Sequence, residues 1–326
     1  MAPSDTPPWV WALLVAAVFG VSSAGALFQS VVDVPPLLQA SWRLQLTAIV
    51  LFPFFLNQLN GEEPVVVEQL KTRRTMLLLL ASGAALAAHF GAWVASLGET
   101  TLTHSLLFVT AHPLVIVMGM AVLAPFVAQV RRPLKAETVG AVICFVGAGV
   151  TLLDTGSDQG DQIATVYGDA LAFAAAVFVV GYIVVGRILR TWMPIFVYAF
   201  PVTLIGALLL LVGSWFMEPT LADFGAVGWV DPVYFPTFLA LAVFAGLLGH
   251  TGLNTCLRYI SPLVVSISVT MEPVLGSIIG WVFFDTGVPG FWTRLGGLVL
   301  MAGLCTVVVA SERASLTEAN NQNNPS

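Results

Sequence analysis

Long apolar runs separated by short polar connections cover almost the whole chain. A run of about 20 apolar residues can cross a bilayer as a helix, and ten runs close to that length can be drawn. They are Trp9–Gln29, Pro36–Leu56, Thr75–Leu97, Thr101–Phe126, Thr138–Leu153, Tyr167–Ile188, Pro194–Phe216, Pro236–Leu257, Ser261–Phe284 and Phe291–Ala310. The pattern predicts an all-α membrane protein with ten transmembrane helices.

Charged residues divide the connections into two sets. All but two of the 12 basic residues fall in alternate connections or in the tail, namely Lys71, Arg73, Arg74, Arg131, Arg132, Lys135, Arg187, Arg190, Arg258 and Arg313. The other connections hold acids, among them Asp33, Glu99, Asp154, Glu218, Asp231 and Asp285. Basic loops stay in the cytoplasm, so both termini are expected there.

Composition agrees with this division. The chain is 58% hydrophobic and 9% charged, its mean hydropathy is +0.92, and a soluble domain has about 25% charged residues. Cys144, Cys256 and Cys305 lack the spacing of metal or redox sites. The sequence lacks a GxxxxGK[ST] loop and a basic tract, so neither ATP drive within this chain, nor a cofactor, nor nucleic-acid binding is expected.

The two halves of the chain repeat one another. Matching residues recur 156–161 positions apart in the same order, namely Ala16–Phe19 with Ala175–Phe178, His89 with His250, His112–Pro113 with Glu272–Pro273, and Gly140 and Gly147 with Gly296 and Gly303. Each half has five spans, an odd number, so the second half enters from the opposite side. We expect two inverted five-helix repeats, residues 9–153 and 167–310, with a non-cytoplasmic linker at 154–166 and a disordered tail at 311–326.

Glu272 is the ionisable residue within the ninth run, and Pro273 follows it. A charge at the centre of a span costs about 2.5–3.5 kcal/mol on insertion scales and is functional by default. Proline removes a backbone donor and loosens the preceding helical turn. A polar ligand site is therefore expected at Glu272, although a packing kink with a protonated, hydrogen-bonded acid fits the same pattern.

Other polar side chains fall at a similar depth in the predicted helices. They are Arg43, His89, His112, His250 and Asn254, and Trp93 shares a helix face with His89. Together with Glu272 they form the predicted substrate site, since ligand pockets are mostly apolar with a few placed polar groups. Each histidine could instead be a neutral imidazole bonded to a neighbouring helix, an interpretation favoured for His104 near a span end, and packing is the favoured role for Trp93.

These residues resemble a known family. The stretch YGDALAFAAAVFVVGYIVVGRIL, beginning at Tyr167, with the arginine of span two and the acid-proline pair of span nine, is similar to EamA-type members of the drug/metabolite transporter superfamily. The resemblance covers Trp9 to Ala310 and implies ten helices in two inverted halves, with spans three, four, eight and nine lining a central cavity. The family's Gly-Glu after spans four and nine is replaced here by Val-Arg-Arg-Pro and by Asp285.

A secondary transporter for an amino-acid-like, weakly basic or neutral metabolite, proton-coupled through Glu272, is the favoured function. Sugar-phosphate and nucleotide-sugar exchangers of the same superfamily usually present several cations to the cavity, whereas Arg43 is the one clearly inside. A metal permease using the histidines and Glu272, an intramembrane enzyme and a receptor or scaffold are the weaker hypotheses. The expected partners are a small-molecule substrate and the lipid bilayer, and a homodimer is left open.

Overall fold

The protein is an all-helical bundle in its computed structural model, which describes residues 7–126, 131–154, 158–159, 162–218, 221–256, 259, 265 and 268–323. The helices are α1 (Pro8–Ser22), α2 (Ala24–Gln29), α3 (Pro36–Asn60), α4 (Pro64–Leu70), α5 (Arg73–Glu99), α6 (Leu102–Val109), α7 (His112–Leu123), α8 (Lys135–Thr151), α9 (Val166–Leu189), α10 (Ile195–Met217), α11 (Leu221–Phe224), α12 (Phe235–Ala240), α13 (Gly252–Cys256), α14 (Glu272–Phe284) and α15 (Phe291–Asn323). A π-helical segment, Leu241–Thr251, joins α12 to α13. In the linker, Asp158–Gln159 pairs antiparallel with Gln162–Ile163.

Within the described residues, seven helical segments are long and apolar enough to cross a membrane. They are Pro8–Gln29, Arg73–Glu99, Leu102–Leu123, Lys135–Asp154, Val166–Gly186, Ile195–Met217 and Phe291–Ser311. Phe235–Thr251 and Glu272–Phe284 are shorter apolar helices. Helix α3, which matches the predicted second span, is 25 residues long. It is not among the seven segments because its polar side chains lower its mean hydropathy. The chain is therefore a multi-pass membrane protein.

Two predicted spans are interrupted at the acid-proline and histidine-proline pairs. Helix α6 ends at Val109 and α7 begins at His112, so that Pro113 occupies the first turn of a new helix. Helix α14 likewise begins at Glu272 with Pro273 in its first turn. Proline is accepted there because its missing N–H would have no intrahelical partner. Residues 261–264 of the predicted ninth span lie outside the described residues.

The tail differs from the sequence prediction. Helix α15 continues to Asn323, whereas the sequence predicted a span ending at Ala310 and a disordered tail from Ser311. Residues 311–323 contain no glycine or proline, so nothing in the local sequence stops a helix that is already formed.

Helices α8 and α15 form the tightest pair, and small residues are the reason. Gly140 lies against Gly303, and Gly147 lies against Gly296. As one helix is followed forward the other runs backward, so the pair is antiparallel. Helix α5 packs on α9, α1 packs on Leu241–Thr251, and α3 packs on α10. Large exposed apolar side chains such as Phe19, Phe145 and Leu298 cover the outer surface, as expected of a surface that faces lipid.

Candidate functional site

Arg43 lies at the centre of the bundle on α3 and is 2% exposed. Its guanidinium carbon is 4.3 Å from the ring centroid of Phe90, 5.5 Å from that of Phe28 and 5.8 Å from that of Trp93. A desolvated cation–π contact contributes about 2 kcal/mol. Within the described part of the chain, its Nε and Nη1 have no hydrogen-bond partner. The aromatic rings therefore stabilise the charge while leaving donors unused.

His89 and Trp93 share a face of α5, as the sequence predicts. The His89 imidazole is parallel to the Trp93 indole, with centroids 6.3 Å apart and planes at 17°. His89 Nδ1 is 2.9 Å from the carbonyl oxygen of Ala175 on α9. A carbonyl only accepts, so Nδ1 carries the hydrogen. Trp93 is 4% exposed, and its Nε1 has no partner among the described residues. Trp93 thus packs in the core while keeping one donor unused.

The predicted ionisable residues meet in one electrostatic cluster. Arg43 interacts with Glu272, and His89 interacts with Arg43 and His112. His250, at the end of the π-helical segment, interacts with Arg43 and His89. Five separate elements supply these side chains, which we call the central cluster: Arg43, His89, His112, His250 and Glu272.

The side chains of the central cluster are not all enclosed by protein. His250 is exposed and Glu272, His89 and His112 are half-buried, although all of them interact within a network that includes the fully buried Arg43. Beside both helix interruptions is a cavity of about 90 Å³, whose lining includes Thr110, His112 and Thr270. That volume is enough for several water molecules.

This geometry leaves the predicted role of Asn254 untested. Asn254 lies on α13, but its side chain lies outside the described residues. No three His, Cys, Asp or Glu side chains in the described part of the chain are placed to hold a metal ion. The π-helical form of Leu241–Thr251 was not predicted from the sequence, because an apolar run of this length fits an α-helix and a π-helix equally well.

A second polar network was missed at the end of the bundle where α5 ends and α9 begins, here called the acidic end. His104 is fully buried, and its Nδ1 is 3.0 Å from Asp169 Oδ2. Its Nε2 is 2.9 Å from Thr293 Oγ1, which donates to Asp154 Oδ2 at 2.8 Å. The sequence favoured a bond from His104 to a neighbouring helix but did not identify a carboxylate partner. The acid in YGDALAF was the available signal.

Loop acids at the acidic end also cap helices. Both carboxylate oxygens of Glu218 accept from the start of α3, from Leu37 N at 2.6 Å and Leu38 N at 3.1 Å. Asp154 accepts from Thr293 N at 2.6 Å near the start of α15. Free N–H groups and the helix dipole favour a carboxylate there. The acids that the sequence used only to assign sidedness therefore also stabilise helix ends.

Comparison with known proteins supports the architecture. Residues 166–309 match the model of the EamA-like transporter family. No curated protein matches the chain. Among solved structures, one described only as "Crystal structure of protein" is similar over 94% of this chain and 98% of its own, with a TM-score of 0.60 and 21% identity. That likeness shows the fold alone. The family match covers the second half of the chain and is consistent with an EamA-type transporter of the drug/metabolite transporter superfamily.

Proposed function

We propose that the protein is a secondary transporter that moves a small organic metabolite across a membrane by alternating access, with Glu272 as the proton carrier. The observation that supports this most is the central cluster. Side chains from α3, α5, α7, the π-helical segment and α14 converge on one place deep in the bundle. Intramembrane ionisable residues that face each other mark transport pathways.

We propose further that the chain has ten spans in two inverted five-helix repeats, with both termini cytoplasmic. The helix contacts support it. In an inverted repeat, α1 corresponds to α9, and α5 corresponds to Leu241–Thr251. The contact between α5 and α9 should then have a counterpart between Leu241–Thr251 and α1, and both pairs of helices are packed. The repeat-related glycines of α8 and α15 also meet each other. Such repeats place substrate near the midplane between the halves.

The chemistry of the central cluster favours a zwitterion, a weak base or a neutral solute. Arg43 is the one Lys or Arg that the described residues bring into the cluster, and Glu272 already interacts with it. A sugar phosphate or a nucleotide sugar carries about two negative charges and needs more cations, so that exchanger is the second candidate. The expected substrate contacts are Arg43, His89, Trp93, His112, His250 and Asn254.

The test is transport in proteoliposomes. First, purified protein is heated with a metabolite library, since a ligand that binds only the folded state raises the unfolding temperature. Uptake of each hit is then measured with an imposed pH gradient, with the wild type, Glu272→Gln and the matched control Glu99→Gln, an exposed acid at the end of α5. We expect Glu272→Gln to abolish pH-driven uptake while Glu99→Gln retains it. Unchanged pH dependence in Glu272→Gln would remove Glu272 from the mechanism.

A further inference from the structure

The buried network at the acidic end is a continuous chain of hydrogen bonds. It runs from Asp169 on α9 through His104 on α6 and Thr293 on α15 to Asp154, which follows α8. Their exposed fractions are 3%, 0%, 1% and 6%. Asp169 also accepts from Thr100 Oγ1 at 2.8 Å. No part of the proposed transport step uses these four residues.

Counting hydrogens shows that this chain of hydrogen bonds lacks one proton when His104 is neutral and both carboxylates are ionised, as such groups usually are at pH 7. Three contacts need one hydrogen each: Asp169 with His104 Nδ1, His104 Nε2 with Thr293 Oγ1, and Thr293 Oγ1 with Asp154. The threonine hydroxyl supplies one hydrogen and a neutral imidazole supplies one, whereas ionised carboxylates only accept. Without a third hydrogen, two acceptors would face each other in a buried place, which is unfavourable.

We propose that Asp169, His104, Thr293 and Asp154 form a buried site that binds one proton, and that this proton joins α6, α9 and α15 at the acidic end. When the proton is on His104, the imidazolium donates to Asp169 and to Thr293, and the two carboxylates flank it. When the proton is on either carboxylate, His104 is neutral and the same three contacts persist. In each form the site has the same total number of hydrogens.

Among the described residues, no other buried ionisable side chain at this end competes for the proton. Four other described ionisable side chains lie near the site on elements that pack against α6, and all four are exposed. They are Glu99 on α5, Tyr167 on α9, Asp285 after α14 and Arg294 on α15. Glu272 is the first residue of α14, whereas the start of α6 contacts α14 about two turns later, where Leu102 meets Gly280. The site is therefore separate from the central cluster.

Loss of the proton would weaken the hydrogen bonds by which side chains tie α6, α9 and α15 together. Asp154 also accepts from the backbone of Thr293, so the tie between the end of α8 and the start of α15 persists. The contact that is lost lies between His104 and either Asp169 or Thr293. The acidic end then loosens between α6 and its neighbours while α8 and α15 stay together. This is a proton-dependent latch, additional to the proposed proton carrier.

The proton itself can be observed directly. Full-length protein in lipid bilayers, labelled with ¹⁵N-histidine and ¹³C-carboxyl aspartate, is measured by solid-state NMR at pH 7.5, and His104→Gln assigns the His104 signals among the four histidines. We expect either doubly protonated His104 or one protonated carboxyl that disappears in Asp154→Asn or Asp169→Asn. A neutral His104 with every aspartate ionised would overturn the proposal.

Two substitutions test the count through Thr293. Thr293→Val removes the middle hydroxyl, so that a neutral His104 donating to Asp169 is complete and the extra proton is no longer held. Thr293→Ser keeps the hydroxyl and should keep the proton. Retention of the proton in Thr293→Val would show that the threonine does not impose it. If Thr293→Val does not fold, Thr293→Ala, which also lacks the hydroxyl, serves instead.

The latch has its own readout. Hydrogen exchange of the amides of 100–106 is followed against pH in wild type and Thr293→Val. After correction for the intrinsic increase of amide exchange with pH, we expect exchange in the wild type to increase by at least about tenfold between pH 7 and the pH at which the NMR signal of the proton disappears. We expect the variant to show no step at that pH. Exchange that stays constant in the wild type while the proton leaves would refute the latch. None of these measurements depends on transport.

Discussion

Gly147 of α8 and Gly296 of α15 are in direct backbone contact. A Cβ built on Gly147 would lie 2.7 Å from the Gly296 carbonyl oxygen, and one built on Gly296 would lie 2.6 Å from that of Gly147. Both ends of α8 are also tied to α15, by Asp154, which follows α8, to Thr293 at 2.8 Å and by Glu137 to Ser311 at 2.6 Å. The pair is thus held at the middle and at both ends, and we infer that it moves as one unit.

Replacing Gly147 by valine should separate this pair. The side chain has no space, so we expect a loss of about 1–3 kcal/mol or more in the free energy of unfolding. The matched control is Gly149→Val on the same helix, where a Cβ meets nothing within 4 Å. Thermal unfolding in detergent measures both. Equal melting temperatures for the two variants would contradict the proposed contact.

The pair of Arg43 and Glu272 can be tested by a double-mutant cycle. Either Arg43→Gln or Glu272→Gln leaves the other charge in the bundle without its partner, whereas the double variant removes both. At pH 8 we expect the double variant to be more stable than the sum of the two single effects predicts, by about 1–3 kcal/mol. Denaturant titration of purified protein gives the three values. Additive effects would mean that the two charges do not interact.

Glu218 should stabilise α3 as an N-terminal cap supplied by α10. Glu218→Ala removes the acceptors of Leu37 N and Leu38 N, and we expect a loss of about 1–2 kcal/mol. Glu218→Gln keeps one acceptor oxygen and should lose less. The control is Asp223→Ala, which changes an exposed acid on the short helix α11. A melting temperature unchanged in Glu218→Ala would argue against the cap.

Tyr234 donates a hydrogen bond to Asp33 across the acidic end. This bond, with smaller effects of burial and of the Asp33 and Asp231 charges, raises the pKa of Tyr234 to about 12. The pKa is raised in the folded state, so the contribution to stability is complete below about pH 10 and is lost as the pH rises through 12. Tyrosinate absorbance should show one tyrosine titrating near pH 12 that is absent in Tyr234→Phe. A normal titration would contradict the bond.

The helical architecture followed from the sequence because it depends on local properties. Apolar runs locate the helices, and the acid-proline pair predicted a loosened turn at Glu272. The interruption at His112 was not predicted, and Pro53 and Pro201 lie inside α3 and α10 without ending them. The grouping of Arg43, His89, His112, His250 and Glu272 was also predictable, since ionisable side chains at mid-depth in a bilayer usually face the interior of the bundle. Whether they bind substrate stays a prediction.

Contacts between distant segments could not be predicted in this way. The pairing of His104 with Asp169 depends on how α6 approaches α9, and a single sequence gives the depth of a residue but not the direction of its side chain around the helix. The same reason applies to Glu218, whose carboxylate reaches a helix 180 residues away in the chain. The π-helical form of Leu241–Thr251 depends on its packing against α1, where the backbones of Gly20 and Gly249 approach closely.

The π-helical segment places a wider helix directly before His250. Each hydrogen bond in a π-helix skips one residue more than in an α-helix, whereas an α-helix turns by about 100° per residue. His250 lies on the last turn of this segment, so the direction of its side chain depends on the π-helical geometry before it. Conversion of the segment to α geometry would turn His250 around the helix axis.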